Sequence, residues 1–373
     1  MHRFQEEAII RDLSKKMVLL AGPRQAGKTT LSKAIAEKFP NSLYLSYDRL
    51  ADRRIILEES WLPSVELLIL DEIHKMDSWK NYLKGIYDTK SSNQKILVTG
   101  SARLEIFNQV GDSLAGRYFL HRLLPLSPAE CDKDHVPYTL DRFLERSGFP
   151  EPFLSKDLVD ANRWRLQYVD SLLHVDVLNF DNIQNLNTIR LVFELLRTKV
   201  GSPISYTSIA EDAGLSPNTV KKYIEILEAL YIVFRVTPFS KNIARSLIKE
   251  PKIYFFDTAL VKGEKEARLE NFIAGCLLKH VYAKVDYLAE NYNLHYLTTK
   301  EKHEVDFAFS KDDIIEQIIE VKYRDDKVSH GLRFFQKKYD FHATQVVKEL
   351  KRERVDDRVE VVRAERFLQG LFL

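Results

Sequence analysis

Lys16-Met17-Val18-Leu19-Leu20-Ala21-Gly22-Pro23-Arg24-Gln25-Ala26-Gly27-Lys28-Thr29-Thr30 sets the architecture of the first third of the chain. The run from Lys16 to Ala21 is apolar and short, the length of a buried parallel strand. It enters G-x-x-x-x-G-K-T over residues 22–29, and an amphipathic helix follows over 30–39, with Leu31, Ile35 and Phe39 on one face. Strand, glycine loop and helix N-terminus together make a phosphate cradle. Gly22 and Gly27 let backbone N–H groups curl around anionic oxygens, and the helix N-terminus adds partial positive charge. Lys28 reaches β- and γ-phosphates, and the Thr29 hydroxyl suits Mg²⁺. Gln25 and Thr30 complete the expected contacts with ATP.

Three more strands extend this reading. Residues 42–48 form the second, and Leu67-Leu68-Ile69-Leu70 the third, ending in Asp71-Glu72. An acidic pair at the end of an apolar strand suits a Walker B element: Asp71 holds Mg²⁺ and Glu72 polarises the attacking water. Residues 95–99 form the fourth strand and lead to Gly100-Ser101-Ala102-Arg103, so Ser101 or Thr99 could sense the γ-phosphate. Arg117 could contact the γ-phosphate in cis, act as an arginine finger in trans, or simply be a surface arginine at a strand start. The same γ-phosphate role is open to Arg103 and Arg122.

Gly22-Pro23-Arg24-Gln25-Ala26-Gly27-Lys28-Thr29-Thr30, Leu70-Asp71-Glu72-Ile73-His74-Lys75, Val98-Thr99-Gly100-Ser101-Ala102 and Leu114-Ala115-Gly116-Arg117 with Leu124-Pro125-Leu126-Ser127 resemble one another's counterparts in prokaryotic AAA-type ATPases that carry a C-terminal nuclease-like domain. Ser147-Gly148-Phe149-Pro150-Glu151 is similar to that family's Gly-Gly-Phe-Pro-Glu, with serine at its first position. The resemblance runs nearly end to end. It implies an ATPase in which the catalytic glutamate, here Glu72, directly follows the Walker B aspartate.

Residues 138–182 read as helical and suit a lid behind the nucleotide domain. Residues 188–240 hold a helix over 189–198, a short helix over 206–213, a Gly214-Leu215 turn, and a third helix over 217–230 opened by an Ser216-Pro217 cap. A strand over 231–238, with 252–256 as its possible partner, completes a winged helix-turn-helix pattern. The third helix presents Asn218, Lys221 and Lys222 outward, as nucleic-acid contacts for a DNA partner. Glu225 and the scarcity of arginine argue for phosphate contact over base readout.

Near the C-terminus, Glu270 lies on an amphipathic helix over 269–278. Glu304-Val305-Asp306-Phe307-Ala308-Phe309 alternates, so Glu304 and Asp306 share a face. Ile319-Glu320-Val321-Lys322 places Glu320 and Lys322 on one face of the next strand. One sheet can therefore unite Asp306, Glu320 and Lys322, joined by Glu270. This resembles the PD-(D/E)xK nuclease pattern, with Val305 where the motif has proline. Asp306 and Glu320 are the expected Mg²⁺ or Mn²⁺ ligands, and Lys322 the group that orients water or meets developing charge. The alternative is a solvated charged face, and the same fold also serves as a binding scaffold. Residues 346–366 alternate charge and read as solvated surface, not a basic arm.

Composition bounds these readings. The chain has 373 residues, 45% hydrophobic and 29% charged, with a net charge of +2. That length calls for two or three domains, and any nucleic-acid affinity must come from local patches. Cys131 and Cys276, the two cysteines, have no metal-type spacing and suit a reducing cytoplasm. No apolar run approaches a membrane span, and residues 1–10 lack a signal-peptide core. The expected class is α/β. A P-loop parallel-sheet domain spans 1–135, a helical lid plus winged helix spans 136–258, and a restriction-nuclease-like α/β domain spans 259–373. The expected activity is ATP binding and hydrolysis that gates metal-dependent cleavage of DNA. The alternatives are a non-cleaving ATP switch and a homo-oligomeric remodeller.

Overall fold

The computed structural model describes residues 3–100, 114–133, 136–176, 186–240 and 250–372. The chain forms two compact units, Met1–Pro125 and Leu126–Leu373.

The first unit is built on a five-stranded parallel sheet: β1 Met17–Ala21, β2 Ser42–Ser46, β3 Leu67–Asp71, β4 Lys95–Thr99 and β5 Tyr118–Arg122. Their order is β2-β3-β4-β1-β5, so β4 lies between β1 and β3. Both sheet faces are covered, which is why β1 and β3 read as continuous apolar runs. Val18 and Leu20 pack under helices Gln5–Leu13 and Lys28–Ala36 with Ile9, Leu31 and Ile35. Met17, Leu19 and Ala21 face the other way, toward Ile56, Trp79, Leu83 and Ile86 of helices Leu50–Glu58 and Trp79–Thr89. Because the strands are parallel, the loops after β1, β3 and β4 all emerge at one sheet edge.

The second unit holds an eight-stranded mixed sheet, ordered β12-β13-β11-β10-β9-β8-β6-β7. Its strands are β6 Val233–Pro238, β7 Lys252–Phe255, β8 Tyr292–Thr298, β9 Glu304–Lys311, β10 Ile314–Lys322, β11 His342–Val347, β12 Arg354–Asp356 and β13 Val359–Arg363. Helices Leu186–Leu196, Tyr206–Ala213 and Pro217–Ala229 precede β6, with Gly214 in the left-handed conformation between the last two. Ser216 caps the third helix by accepting from Thr219 N–H at 3.1 Å.

Three expectations need correction here. The boundary at 258 does not separate compact bodies, because β6 pairs with β7 on one side and with β8 on the other, joining the helical segment to the C-terminal strands in one sheet. The first unit also closes at Pro125 rather than 135. The tail is more than solvated surface: Val346, Val347, Val359 and Val361 are buried in β11 and β13 beneath its charged residues.

Candidate functional site

The phosphate loop closes with Gly22 at φ 147° and Gly27 at φ 99°. A Cβ on Gly22 would lie 2.2 Å from the Leu123 carbonyl oxygen, so this turn packs backbone against backbone and takes only glycine. Lys28 is buried. Its ammonium folds back to donate to the carbonyls of Gly22 at 2.9 Å and Pro23 at 2.7 Å. Burial pulls its pKa down to about 8, against the opposing pull of Glu72 and Asp71. Thr29 and Thr30 are exposed at the helix start. Gln25 is exposed too, at φ 59°.

Asp71 ends β3 with both carboxylate oxygens engaged: Thr99 donates to Oδ1 and Tyr44 to Oδ2. The position of β4 brings Thr99 there, and the Tyr44 hydroxyl also meets Thr29. Thr29 and Asp71 thus approach one another through a shared tyrosine. An exposed hydroxyl and an oriented carboxylate are hard oxygen donors that fit Mg²⁺. Glu72 is held at φ 56°, with its N–H donating to the Thr99 carbonyl at 2.9 Å. Burial pushes its pKa up, and Lys75 opposes the shift. Lys75 Nζ lies 3.6 Å from Glu72, and His74 Nε2 lies 3.5 Å from it. A carboxylate with raised pKa beside the phosphate loop is a competent general base. Sequence reading missed Tyr44, because an aromatic at mid-strand looks like core.

Two arginine expectations part company. Arg117 precedes β5, whose Tyr118 pairs with Met17, so it sits at the sheet edge opposite the loop that follows Ala21. Its guanidinium grips Asp88 at 2.8 and 3.1 Å. A cis contact with the γ-phosphate is therefore excluded by the direction of the strand. Arg122 pairs with Ala21 and lies at the phosphate edge. Ser101 and Arg103 lie outside the described residues.

In the second unit the expected acidic constellation assembles. Phe307 pairs with Ile319, so Asp306 and Glu320 are the next cross-strand neighbours. Val321 N–H donates to Asp306 Oδ2 at 2.9 Å. Lys322 Nζ lies 3.1 Å from Glu320 Oε1. Glu270 comes from helix Lys265–Leu288, which is pinned to β7 by Asn271: its amide accepts from Phe255 N–H at 2.7 Å and donates to Phe255 C=O at 2.9 Å. Tyr254 Oη donates to Glu270 Oε1 at 2.7 Å. Burial and then the Asp306 charge raise the Glu270 pKa to about 8 and that of Glu320 to about 7.

The residue that sequence reading missed is Lys252. Fully buried at the start of β7, its ammonium lies 2.7 Å from Glu304, 3.6 Å from Asp306 and 3.7 Å from Glu270. Burial pulls the lysine pKa down, but Glu270, Asp306 and Glu304 outweigh it and hold it above its ordinary value. Among the described residues no three acidic, histidine or cysteine side chains converge as metal ligands. Asp306 and Glu320, the expected metal ligands, are cross-strand neighbours, and the Lys252 ammonium lies beside Asp306. The available signal was period two in Lys252-Ile253-Tyr254, which puts a lysine and a tyrosine on one face of a buried strand.

Asn218, Lys221, Lys222 and Glu225 are all exposed on the third helix.

Residues 14–131 match the family model described as an AAA domain. The first unit carries an AAA-type ATPase domain. Residues 138–265 and 265–367 match two models described as domains of unknown function, DUF8612 and DUF4143. The chain is 29% identical over 250 residues to the uncharacterized protein Rv2008c of Mycobacterium tuberculosis, covering 66% of this chain and 55% of that protein. It is 25% identical over 352 residues to the uncharacterized protein MJ1544 of Methanocaldococcus jannaschii, covering 84% and 76%. The chain thus spans just over half the length of its mycobacterial relative. Among solved structures, a Walker-type ATPase of Pyrococcus abyssi aligns at 13% identity with a TM-score of 0.46, covering 69% of this chain and 93% of that one. A RuvB protein of Thermotoga maritima aligns at 20% identity with a TM-score of 0.30, covering 62% and 85%. No helix among the described residues is long and apolar enough to cross a membrane.

The Lys28 environment has a consequence in pH. Phosphate oxygens need the ammonium form, which the free protein keeps below its pKa of about 8. ATP affinity should stay flat as pH rises to about 8. Above that it should fall roughly tenfold per pH unit, because binding must then take up a proton. Isothermal titration with a non-hydrolysable ATP analogue between pH 6.5 and 9.5 measures this, and a profile flat to pH 9.5 would contradict it.

Proposed function

We propose that the chain is an ATP-hydrolysing switch that acts on DNA without cutting it. The observation that carries the ATP side is the convergence of Lys28, Asp71, Glu72 and Thr99 at one edge of the parallel sheet. The loop N–H groups and the start of helix Lys28–Ala36 receive the triphosphate. Lys28 exchanges the Gly22 and Pro23 carbonyls for β- and γ-phosphate oxygens. Thr29 and Asp71 would hold Mg²⁺, which neutralises phosphate charge. Glu72 takes the proton of the attacking water. Thr99, bonded to Asp71, links the γ-phosphate position to β4 and is placed to report whether that phosphate is present.

The DNA side rests on the exposed Asn218, Lys221 and Lys222 of a capped helix that follows a tight turn. This geometry supports a winged-helix module that touches phosphates. Lys252 among the carboxylates favours binding over cleavage in the nuclease-like part. The second reading, ATP-gated cleavage at Glu270, Asp306, Glu320 and Lys322, is favoured by their assembly on one sheet face.

Nicking of supercoiled, linear and single-stranded DNA with Mg²⁺ or Mn²⁺, with and without ATP, separates the two. Wild type runs beside Lys28→Ala and Asp306→Ala. The switch predicts ATP turnover lost in Lys28→Ala and no cleavage in any lane. Cleavage abolished by Asp306→Ala would establish the second reading instead.

A further inference from the structure

Four carboxyl groups, Glu270, Glu304, Asp306 and Glu320, crowd one face where the β7 end of the sheet meets helix Lys265–Leu288. Such a group cannot be buried without positive charge close by. In enzymes with this arrangement of acids the charge is a divalent ion. Here the protein supplies it. Lys322 serves Glu320 at 3.1 Å, and Lys252 serves the other three at 2.7, 3.6 and 3.7 Å.

We infer that Lys252 is the resident cation of this cluster, standing where a metal ion would stand, so that the folded site takes no divalent ion. Three further observations carry this. Lys252 is anchored: its backbone pairs with Val236 in β6 and bridges to Pro203, and its ammonium lies 5.4 Å from the centre of the Tyr296 ring. One oxygen of each of two carboxylates is already taken, Asp306 Oδ2 by Val321 N–H and Glu270 Oε1 by Tyr254 Oη. Backbone also approaches the cluster at Glu270. Gly201, at φ 82°, lies so close that a Cβ on it would sit 2.7 Å from Glu270 Oε2. Mg²⁺ keeps several waters and demands octahedral space, and backbone at Gly201 crowds the Glu270 side of the cluster. A lysine ammonium carries no such octahedral shell, and this one has three carboxylates within 4 Å. The consequence is a nuclease-like unit locked as a binding scaffold: cutting would require β7 to withdraw Lys252. The inference stands on the second unit alone and is independent of ATP hydrolysis in the first.

The test is Mn²⁺ binding followed by electron paramagnetic resonance on the full chain, nucleotide-free and carrying Asp71→Asn to silence the carboxylate of the phosphate site. With Lys252 in place, the curve should be unchanged by adding Asp306→Asn at Mn²⁺ up to about 1 mM, the weak end of the range of protein divalent sites. With Lys252→Met, one additional ion per chain should bind, and Asp306→Asn should remove it again. The same Lys252→Met chain should melt lower in chelator and recover on adding Mn²⁺, but not on adding NaCl of equal ionic strength. An ion bound below about 1 mM by the Lys252-containing chain and lost in Asp306→Asn would overturn the inference, whether or not Lys252→Met folds. So would a folded Lys252→Met chain that gains no ion.

Discussion

Glu72→Gln should reduce ATP turnover by about 10²–10⁴-fold while Mg-ATP binding changes by less than about threefold. Glutamine keeps the size and polarity of the side chain at the end of β3 but cannot take a proton. Binding rests on other groups, the loop N–H groups and Lys28, so the substituted protein should become a nucleotide trap. Burial makes Glu72 more basic than an ordinary carboxylate. Its present neighbours show that the base is also held in check. Lys75, which binds Asp48 at 2.6 Å, lies 3.6 Å from Glu72, and His74 lies 3.5 Å from it. Single-turnover hydrolysis beside fluorescent-nucleotide binding gives the two quantities. Turnover surviving within tenfold would move the base elsewhere. Loss of binding in step with turnover would mean that Glu72 shapes the pocket and is not the proton acceptor.

What the sequence made legible follows from how each group is held. Lys28, Asp71 and Glu72 are fixed by contiguous chain, a loop between strand and helix and the end of an apolar strand, and local pattern suffices for those. Glu270, Asp306, Glu320 and Lys322 were also readable, because period two fixes which side chains share a face and one amphipathic helix supplies the fourth. Lys252 was not. A charged residue opening an apolar strand looks like a solvated end, and it is the placing of β7 beside β6, with Tyr296 and Glu270 over the side chain, that surrounds it. The direction of β5 defeated the reading of Arg117 in a similar way. A parallel strand beside β1 has to start at the far edge, so an arginine before it cannot reach a loop after Ala21. Tyr44 touches Asp71 across two adjacent strands, a register that propensity does not encode. In each case the missing information was which strand lies beside which.

The same distinction governs the largest stability effect expected in the second unit. Glu130, in the short helix Pro128–Lys133, has a side chain with no exposed surface, and Lys279, midway along helix Lys265–Leu288, is 3% exposed. They form an ion pair, and Glu130 Oε2 also accepts from Ser127 N–H at 3.2 Å. Nothing in the sequence joins residues so far apart. Removing one member leaves a buried charge without its partner, which costs about 3–5 kcal/mol. Lys279→Met should therefore lower the melting temperature of the second unit by about 10 °C. That transition is recognisable as the one Mg-ATP does not shift, since ligand binding stabilises the unit that binds. Adding Glu130→Gln should recover much of the loss, because a neutral pair of similar shape carries no stranded charge. A loss below about 1 kcal/mol in Lys279→Met would mean that Glu130 is neutral in the fold and that packing, not ion pairing, joins these helices.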